Sequence, residues 1–349
     1  MQLTNFRYNP RNISKWSNEQ AIESISQIME NGSTSIQLFA SIKPQAVPSQ
    51  QIQNTQPQYV IIQSPDQLPN LNSGSNNSQE PQKGKEIADS DVDKNIPYRD
   101  INNENAFALI IANESYSKVA SVPFANRDGN KLKEYMKKTL GLSNDHITLL
   151  ENATLNDMRY ELNKLKKISD AYDGDCSFIV YYCGHGIPDE KNGNGYLLPV
   201  DGYGNDVSTA YSLSDLYAHL GDLNAKKVVL FTDACFSGAG KEGDMLVEAR
   251  GIAIKSKPNE ATGNLIAFSA CQGDETAYSY QEKGHGLLTY YFLKKLQETG
   301  GKVTLGELEE YIKDNVGKTA IVINGKSQTP SVSVSPSLQN SWRDQTLYE

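Results

Sequence analysis

The 349-residue sequence is poor in the features that mark several large protein classes. It has no run of about 18 apolar residues, so no membrane-spanning helix is encoded. Its 33 Lys and Arg are outnumbered by 42 Asp and Glu, and a formal charge of -9 lacks the clustered positive footprint of a nucleic-acid binder. Only four cysteines are present, too few in a chain this long for a disulfide scaffold. The N-terminus has no apolar leader core. A cytoplasmic protein is therefore expected, with an exported form whose leader has been trimmed as the alternative. A zinc site is disfavoured too, because Cys183 and His185 have no second closely spaced pair to complete four ligands.

What is present is unevenly spread. Residues 44–105 are dense in Gln, Asn, Ser and Pro and almost without apolar clusters, which predicts a low-complexity linker or pro-segment. Before it, in residues 1–43, Ile22, Ile25, Ile28 and Met29 fit one face of a short helix. The segment 106–349 reads as a packed domain. Phe107–Ala112, Phe178–Cys183, Val228–Phe231 and Leu265–Phe268 are short apolar runs, as expected of strands buried on both faces. Ile147–Leu150 is a further strand, and the alternating Val332 and Val334 give a last one. Helical stripes lie between them: Leu132, Tyr135 and Met136, then segments opened by Thr154 and Ser212. Two more follow, one over roughly 287–298 and one begun by a capping box from Thr304 to Glu307. This order predicts an α/β fold, a mostly parallel central sheet of about six strands with helices on both faces.

In such sheets functional groups gather beyond the carboxyl ends of the strands. Two ends stand out. The third strand runs into Gly184-His185-Gly186, and the fourth into Asp233-Ala234-Cys235-Phe236-Ser237-Gly238. A thiol, with an ordinary pKa near 8.5, needs a base or cation beside it to become a nucleophile. A histidine on the adjacent strand end supplies one and can protonate a departing amine. Singly, each residue reads as core; as a pair flanked by glycines, they read as nucleophile and partner. A second Gly-His-Gly, at 284–286, has no apolar strand leading into it. His285 is therefore expected to be a loop or helix-entry residue. His146 and His219 are expected to be structural, and Cys176, Cys183 and Cys271 buried small hydrophobes.

Taken in order, Tyr181–Gly186, Val228–Gly238 and Ser269–Tyr280 resemble the caspase-like cysteine peptidases, particularly metacaspases, paracaspases and their bacterial relatives, over about residues 105–342. The separation of 50 residues between His185 and Cys235 is similar to the caspase spacing. The resemblance implies a caspase-hemoglobinase-like fold and a cysteine endopeptidase with a Cys-His dyad. Cys235 would attack the scissile carbonyl, His185 would transfer the proton, and the backbone N–H groups of Gly186 and Cys235 would form the oxyanion hole.

The resemblance also bears on specificity. Caspases that cut after Asp carry Gln two residues before the nucleophile; here that position is Asp233, as in metacaspase-like enzymes. Their second acid aligns with Asp128, in Phe124-Ala125-Asn126-Arg127-Asp128. Two carboxylates on one pocket imply protein or peptide substrates with Arg or Lys at the cleaved position. The plainer reading of Asp128 is a helix N-terminal acid favoured by the macrodipole.

Calcium-dependent members carry adjacent acids where this chain has Ser208-Thr209-Ala210-Tyr211. Asp201 and Glu242 would remain as oxygen ligands, too few for a hard cation, so no cofactor is expected. Relatives are often zymogens activated by loop cleavage. Self-cleavage would fall in the long 239–262 loop, at Lys241, Arg250, Lys255 or Lys257, or at Lys83, Lys85, Lys94 or Arg99. The competing readings are an idle scaffold that binds partners and a ligase in which an amine intercepts the acyl-enzyme. A nucleotide-binding domain is disfavoured, because Ala112-Asn113-Glu114-Ser115 is not a Gly-rich phosphate loop.

Overall fold

The computed structural model describes residues 90–236 and 259–347. Strands β1 (Ala106–Ala112), β2 (Ile147–Glu151) and β3 (Ser177–Cys183) come first. Short strands β4 (Gly186–Pro188), β5 (Gly195–Leu197) and β6 (Tyr211–Ser212) follow, then β7 (Lys227–Asp233) and β8 (Leu265–Ser269). The last three are β9 (Ser279–Tyr280), β10 (His285–Gly286) and β11 (Ser331–Val334). The helices are α1 (Ala125–Lys138), α2 (Leu155–Ala171), α3 (Leu213–Gly221), α4 (Leu287–Thr299) and α5 (Leu305–Asn324).

Six strands form the central sheet in the order β11-β8-β7-β3-β1-β2. All neighbours are parallel except β11, which runs antiparallel to β8 at the edge. The fold class read from the βαβα rhythm is the one observed.

Why the apolar runs are continuous is visible in their side-chain alternation. Ile110 of β1, Ile179 and Tyr181 of β3, and Val229 and Phe231 of β7 pack under α1, α4 and α5. Their neighbours Leu109, Ile111, Phe178, Val180, Val228 and Leu230 pack under α2 and α3. A strand covered on both faces has no solvent side on which to place polar residues. Phe231 stacks on Phe268 and Phe292, at centroid distances of 4.7 and 4.3 Å, joining two strands to α4.

Helix starts follow the sequence signals. Thr154 with Asp157 and Thr304 with Glu307 form capping boxes, and the Ser212 side chain caps α3. Helix α1 lies close on the sheet because residue 129 is glycine. A Cβ there would stand 2.7 Å from that of Ala112.

The packed chain begins earlier than the expected boundary at residue 106. Val92 is fully buried, Tyr135 Oη donates to its carbonyl at 2.8 Å, and Thr139 Oγ1 donates to Pro97 O at 2.7 Å. Asp91 accepts from Lys283, Lys294 and Tyr290. Residues 90–105 are thus part of the folded domain rather than of a linker, anchored by a few well-placed side chains. The helix expected in 1–43, the rest of the expected linker and most of the 239–262 loop lie outside the described residues. Among the described residues no helix is long and apolar enough to cross a membrane.

Candidate active site

The parallel register of β3 on β7 sets Cys183 opposite Asp233. His185 and Cys235 each lie two residues further on, at the same edge of the sheet. The two turns touch through their backbones: a Cβ on Gly186 would fall 2.5 Å from the Cys235 carbonyl oxygen. Only glycine permits that approach.

The His185 backbone is pinned on both sides by tyrosines. Its N–H donates to Tyr116 Oη at 2.8 Å, and its carbonyl accepts from Tyr182 Oη at 2.7 Å. Gly184 leaves room for both hydroxyls, since a Cβ there would lie 2.6 and 2.7 Å from them. The imidazole tilts against the Tyr116 ring, and its Nε2 is 2.8 Å from the carbonyl oxygen of Ala120. A carbonyl only accepts, so Nε2 carries the proton and Nδ1 is the basic nitrogen. Both His185 and Cys235 are buried, at 1% and 0% exposure. A cleft of about 640 Å³ adjoins Phe236, with Ser269, Cys271, Gln272 and Asp274 along its wall.

Asp128 and Asp233 come together beneath this edge. Both are fully buried, and one ligand atom each of Asp128, Asp233 and Cys183 lies within 4.8 Å of the other two. Asp233 Oδ2 accepts from Thr289 Oγ1 at 2.6 Å and from the Thr289 N–H at 3.3 Å. Asp128 does occupy the first turn of α1, but its oxygens are engaged elsewhere. Oδ1 pairs with His285 Nδ1 at 2.6 Å, and Oδ2 accepts from the Gly286 N–H at 2.9 Å. Cys183 Sγ stands 3.9 Å from Asp128 Oδ2, so this cysteine faces a polar group and is not simply a hydrophobe. The trio is an acidic cluster whose carboxylates accept from His285, Gly286 and Thr289.

His285 stands at the helix entry, directly before the Gly286 N-cap of α4, but in a strand rather than a loop. It forms part of β10, is fully buried, and its Nε2 lies 3.3 Å from Asp93 Oδ1. Burial alone would lower its pKa, yet Asp128 and Asp93 raise it to about 9. Asp93 is the converse: burial would raise its carboxyl, but His285 and Arg127 hold it down at about 2.

The remaining candidates have other employment. Asp201 Oδ1 accepts from the Leu155 N–H at 3.1 Å, which makes it a cap of α2. Glu242, Lys241, Arg250, Lys255, Lys257, Lys83 and Lys85 lie outside the described residues. Lys94 and Arg99 belong to the packed entry segment. The Lys94 carbonyl accepts from Gln297 Nε2, and the Arg99 N–H donates to Lys138 O. His146 stacks on Phe107 at 4.2 Å, and His219 Nε2 bonds to Leu162 O at 2.9 Å, both structural as expected. No cysteine forms a disulfide, and burial pushes the Cys176 thiol up to about 11.

Comparison with known proteins adds the lineage. The caspase domain of the Peptidase C14 family matches residues 105–340. Among solved structures, the chain is similar to protein GSU0716 from Geobacter sulfurreducens, with 17% identity and a TM-score of 0.50, covering 70% of this chain and 98% of that one. It is also similar to caspase-1 from Spodoptera frugiperda, with 16% identity and a TM-score of 0.48, covering 70% and 92%. No curated protein matches the chain. At such identities structural likeness speaks only for the fold. The domain match spans more than half of the sequence, and on that ground the chain belongs to the caspase-domain family of cysteine peptidases.

Proposed function

We propose that the protein is a cysteine endopeptidase that cleaves after Arg or Lys, with Cys235 as nucleophile and His185 as general base and acid. The observation that carries this reading is the pairing of β3 with β7, which brings one imidazole and one thiol to the same rim. The Ala120 carbonyl supports it further by fixing the His185 tautomer.

In the forward step His185 Nδ1 accepts the thiol proton, and the Cys235 sulfur attacks the scissile carbonyl carbon. The N–H groups of Gly186 and Cys235 serve the developing oxyanion. As the intermediate collapses, the C–N bond breaks and the amine leaves with the proton from His185. Water, deprotonated by the same nitrogen, then hydrolyses the thioester and restores the thiol. Asp233 and Asp128 take the basic side chain by charge-assisted hydrogen bonds.

The buried dyad fits a latent form that must be uncovered before a peptide is bound, as in a zymogen. Self-processing is expected at a basic residue outside the packed entry segment, since the backbones of Lys94 and Arg99 are held by hydrogen bonds. The same burial is what an idle scaffold would show, so cleavage itself is the test.

A peptide-library cleavage profile of the purified protein, run beside Cys235→Ala and Asp233→Gln, separates the readings. Cleavage after Arg or Lys that Cys235→Ala abolishes and Asp233→Gln weakens supports the proposal. Cleavage after Asp would sink the specificity, and none in any activated preparation would favour the scaffold. Identical fragment patterns for wild type and Cys235→Ala would remove self-processing.

A further inference from the structure

We propose that His285 is a positioning residue for the acidic pocket: clamped between Asp93 and Asp128, it orients the Asp128 carboxylate and supplies the positive charge that lets two neighbouring buried carboxylates coexist. This rests on the reading of Asp128 and Asp233 as the pocket for a basic side chain.

The difficulty such a pocket faces is electrostatic. Asp128 and Asp233 are both fully buried and close together. Two carboxylates in that position repel, and the usual outcome is that one takes up a proton. A pocket in that state is poorly matched to a cation, because the proton has to leave before the charge pair can form.

The geometry around His285 removes the difficulty. Both ring nitrogens face carboxylates, Nδ1 at 2.6 Å from Asp128 and Nε2 at 3.3 Å from Asp93. At 2.6 Å Nδ1 hydrogen-bonds to Asp128, and the second carboxylate, an ion-pair contact beside Nε2, favours the doubly protonated ring, an imidazolium. The raised pKa, about 9, agrees.

The other charged and titratable neighbours do not compete for this role. Arg127 pairs with Asp93 through Oδ2, whereas the ring faces Oδ1. Lys283 and Lys294 are taken by Asp91, and the Tyr290 ring from α4 lies 6.5 Å away with its hydroxyl on Asp91. Cys183 approaches Asp128 through Oδ2, at 3.9 Å, and not through the Oδ1 that pairs with the imidazole. Because Asp93 precedes β1, the charge balance of the pocket includes a piece of chain outside the βαβα core.

The distinguishing consequence is proton linkage. In the wild type a basic side chain enters a pocket that is already ionised, so its binding releases no proton. In His285→Gln the amide still donates to Asp128, but the charge is gone and a proton takes its place on that carboxylate. Substrate binding must then expel it, and KM falls as pH rises, by up to about tenfold per pH unit.

The test measures KM and kcat for an Arg-containing peptide from pH 6 to 8.5. Wild-type KM should be flat. For His285→Gln, KM at pH 6 should exceed its own value at pH 8 by about tenfold or more, while the kcat profile stays with that of the wild type. Parallel KM–pH curves for the two proteins would overturn the proposal.

Should the variant not fold, nitrogen NMR of the wild-type imidazoles decides. Only four histidines are present, and variants of the other three assign the signal. A doubly protonated His285 at pH 7.5 that titrates near 9 supports the proposal, and a singly protonated ring at pH 7.5 refutes it. If the wild type does not cut after Arg or Lys, the pocket reading fails, and the NMR result still settles the charge of His285 by itself.

Discussion

At the end of β3, the Gly184-His185-Gly186 turn meets neutral groups among its described hydrogen-bond partners: two tyrosine hydroxyls on the backbone and the Ala120 carbonyl on Nε2. At β10, Gly284-His285-Gly286 repeats the tripeptide, but the ring lies between Asp93 and Asp128. In the proposed mechanism one imidazole keeps a basic nitrogen that exchanges a proton with a thiol. The other is held as a cation and serves as a counter-charge. The two share their flanking residues and differ in their partners. A histidine's chemistry is thus set by what its two nitrogens meet, which sequence context near the residue does not report.

Four measurements would break or sharpen that contrast. The largest effect belongs to His185→Ala, which should lower kcat toward an Arg peptide by about 10³-fold or more, because the proton carrier is lost. Residual turnover within tenfold of wild type would mean that the β3 turn is not the catalytic one.

Next comes stability against pH. The folded pKa of His285 is raised to about 9 from an ordinary 6.5, so its contribution is complete below 6.5 and is lost as pH rises through 9. On the order of 3 kcal/mol should disappear over that window in denaturant unfolding of wild type. The His285→Gln protein should lack this alkaline loss; an unchanged curve would contradict the charged state.

Third, Asp233→Asn should raise KM for Arg peptides about a hundredfold, the scale for removing one partner of a desolvated charge pair. Alkylation of Cys235 by a small neutral reagent should hardly change in this variant, which tells a pocket defect from a folding defect. The smallest effect is that of Tyr116→Phe. Losing the hydroxyl on the His185 N–H should lower kcat by about fivefold, near 1 kcal/mol, with KM unaffected. An equal rise in KM would show that Tyr116 shapes the substrate site instead.

Much of the architecture could be read in advance, for a physical reason. Strands buried on both faces have to be continuously apolar, and runs such as Phe178–Cys183 leave little choice of conformation. Helix caps at Thr154, Ser212 and Thr304 are local chemistry and therefore local in sequence. The two strand ends carrying His185 and Cys235 followed from the parallel order of the sheet.

What escaped depends on distant or featureless groups. The Ala120 carbonyl has no side-chain signature at all. His285 is explained by Asp93 and Asp128, both more than 150 positions away, and its two-residue strand is too short for any periodicity. The entry segment looked like linker because its anchors are single residues, Val92 and Asp91, in a polar stretch. Tyr116, Tyr182 and Thr289 are common residue types whose roles arise only where several chain segments meet. The short strands β4, β5 and β6 were missed for the reason that applies to β10.

Gly129 sits next to Asp128 in α1, where its missing methyl lets the helix settle against Ala112 of β1. An alanine in its place would be favoured by intrinsic helix propensity, by up to about 1 kcal/mol, yet would wedge α1 off the sheet. The acid carried by the previous residue would then be lifted away from Cys183 and Asp233. How far apart the two negative charges stand is therefore dictated by a hydrogen atom where every other amino acid would put carbon, and tuning this site by mutation would begin at a position that touches no substrate.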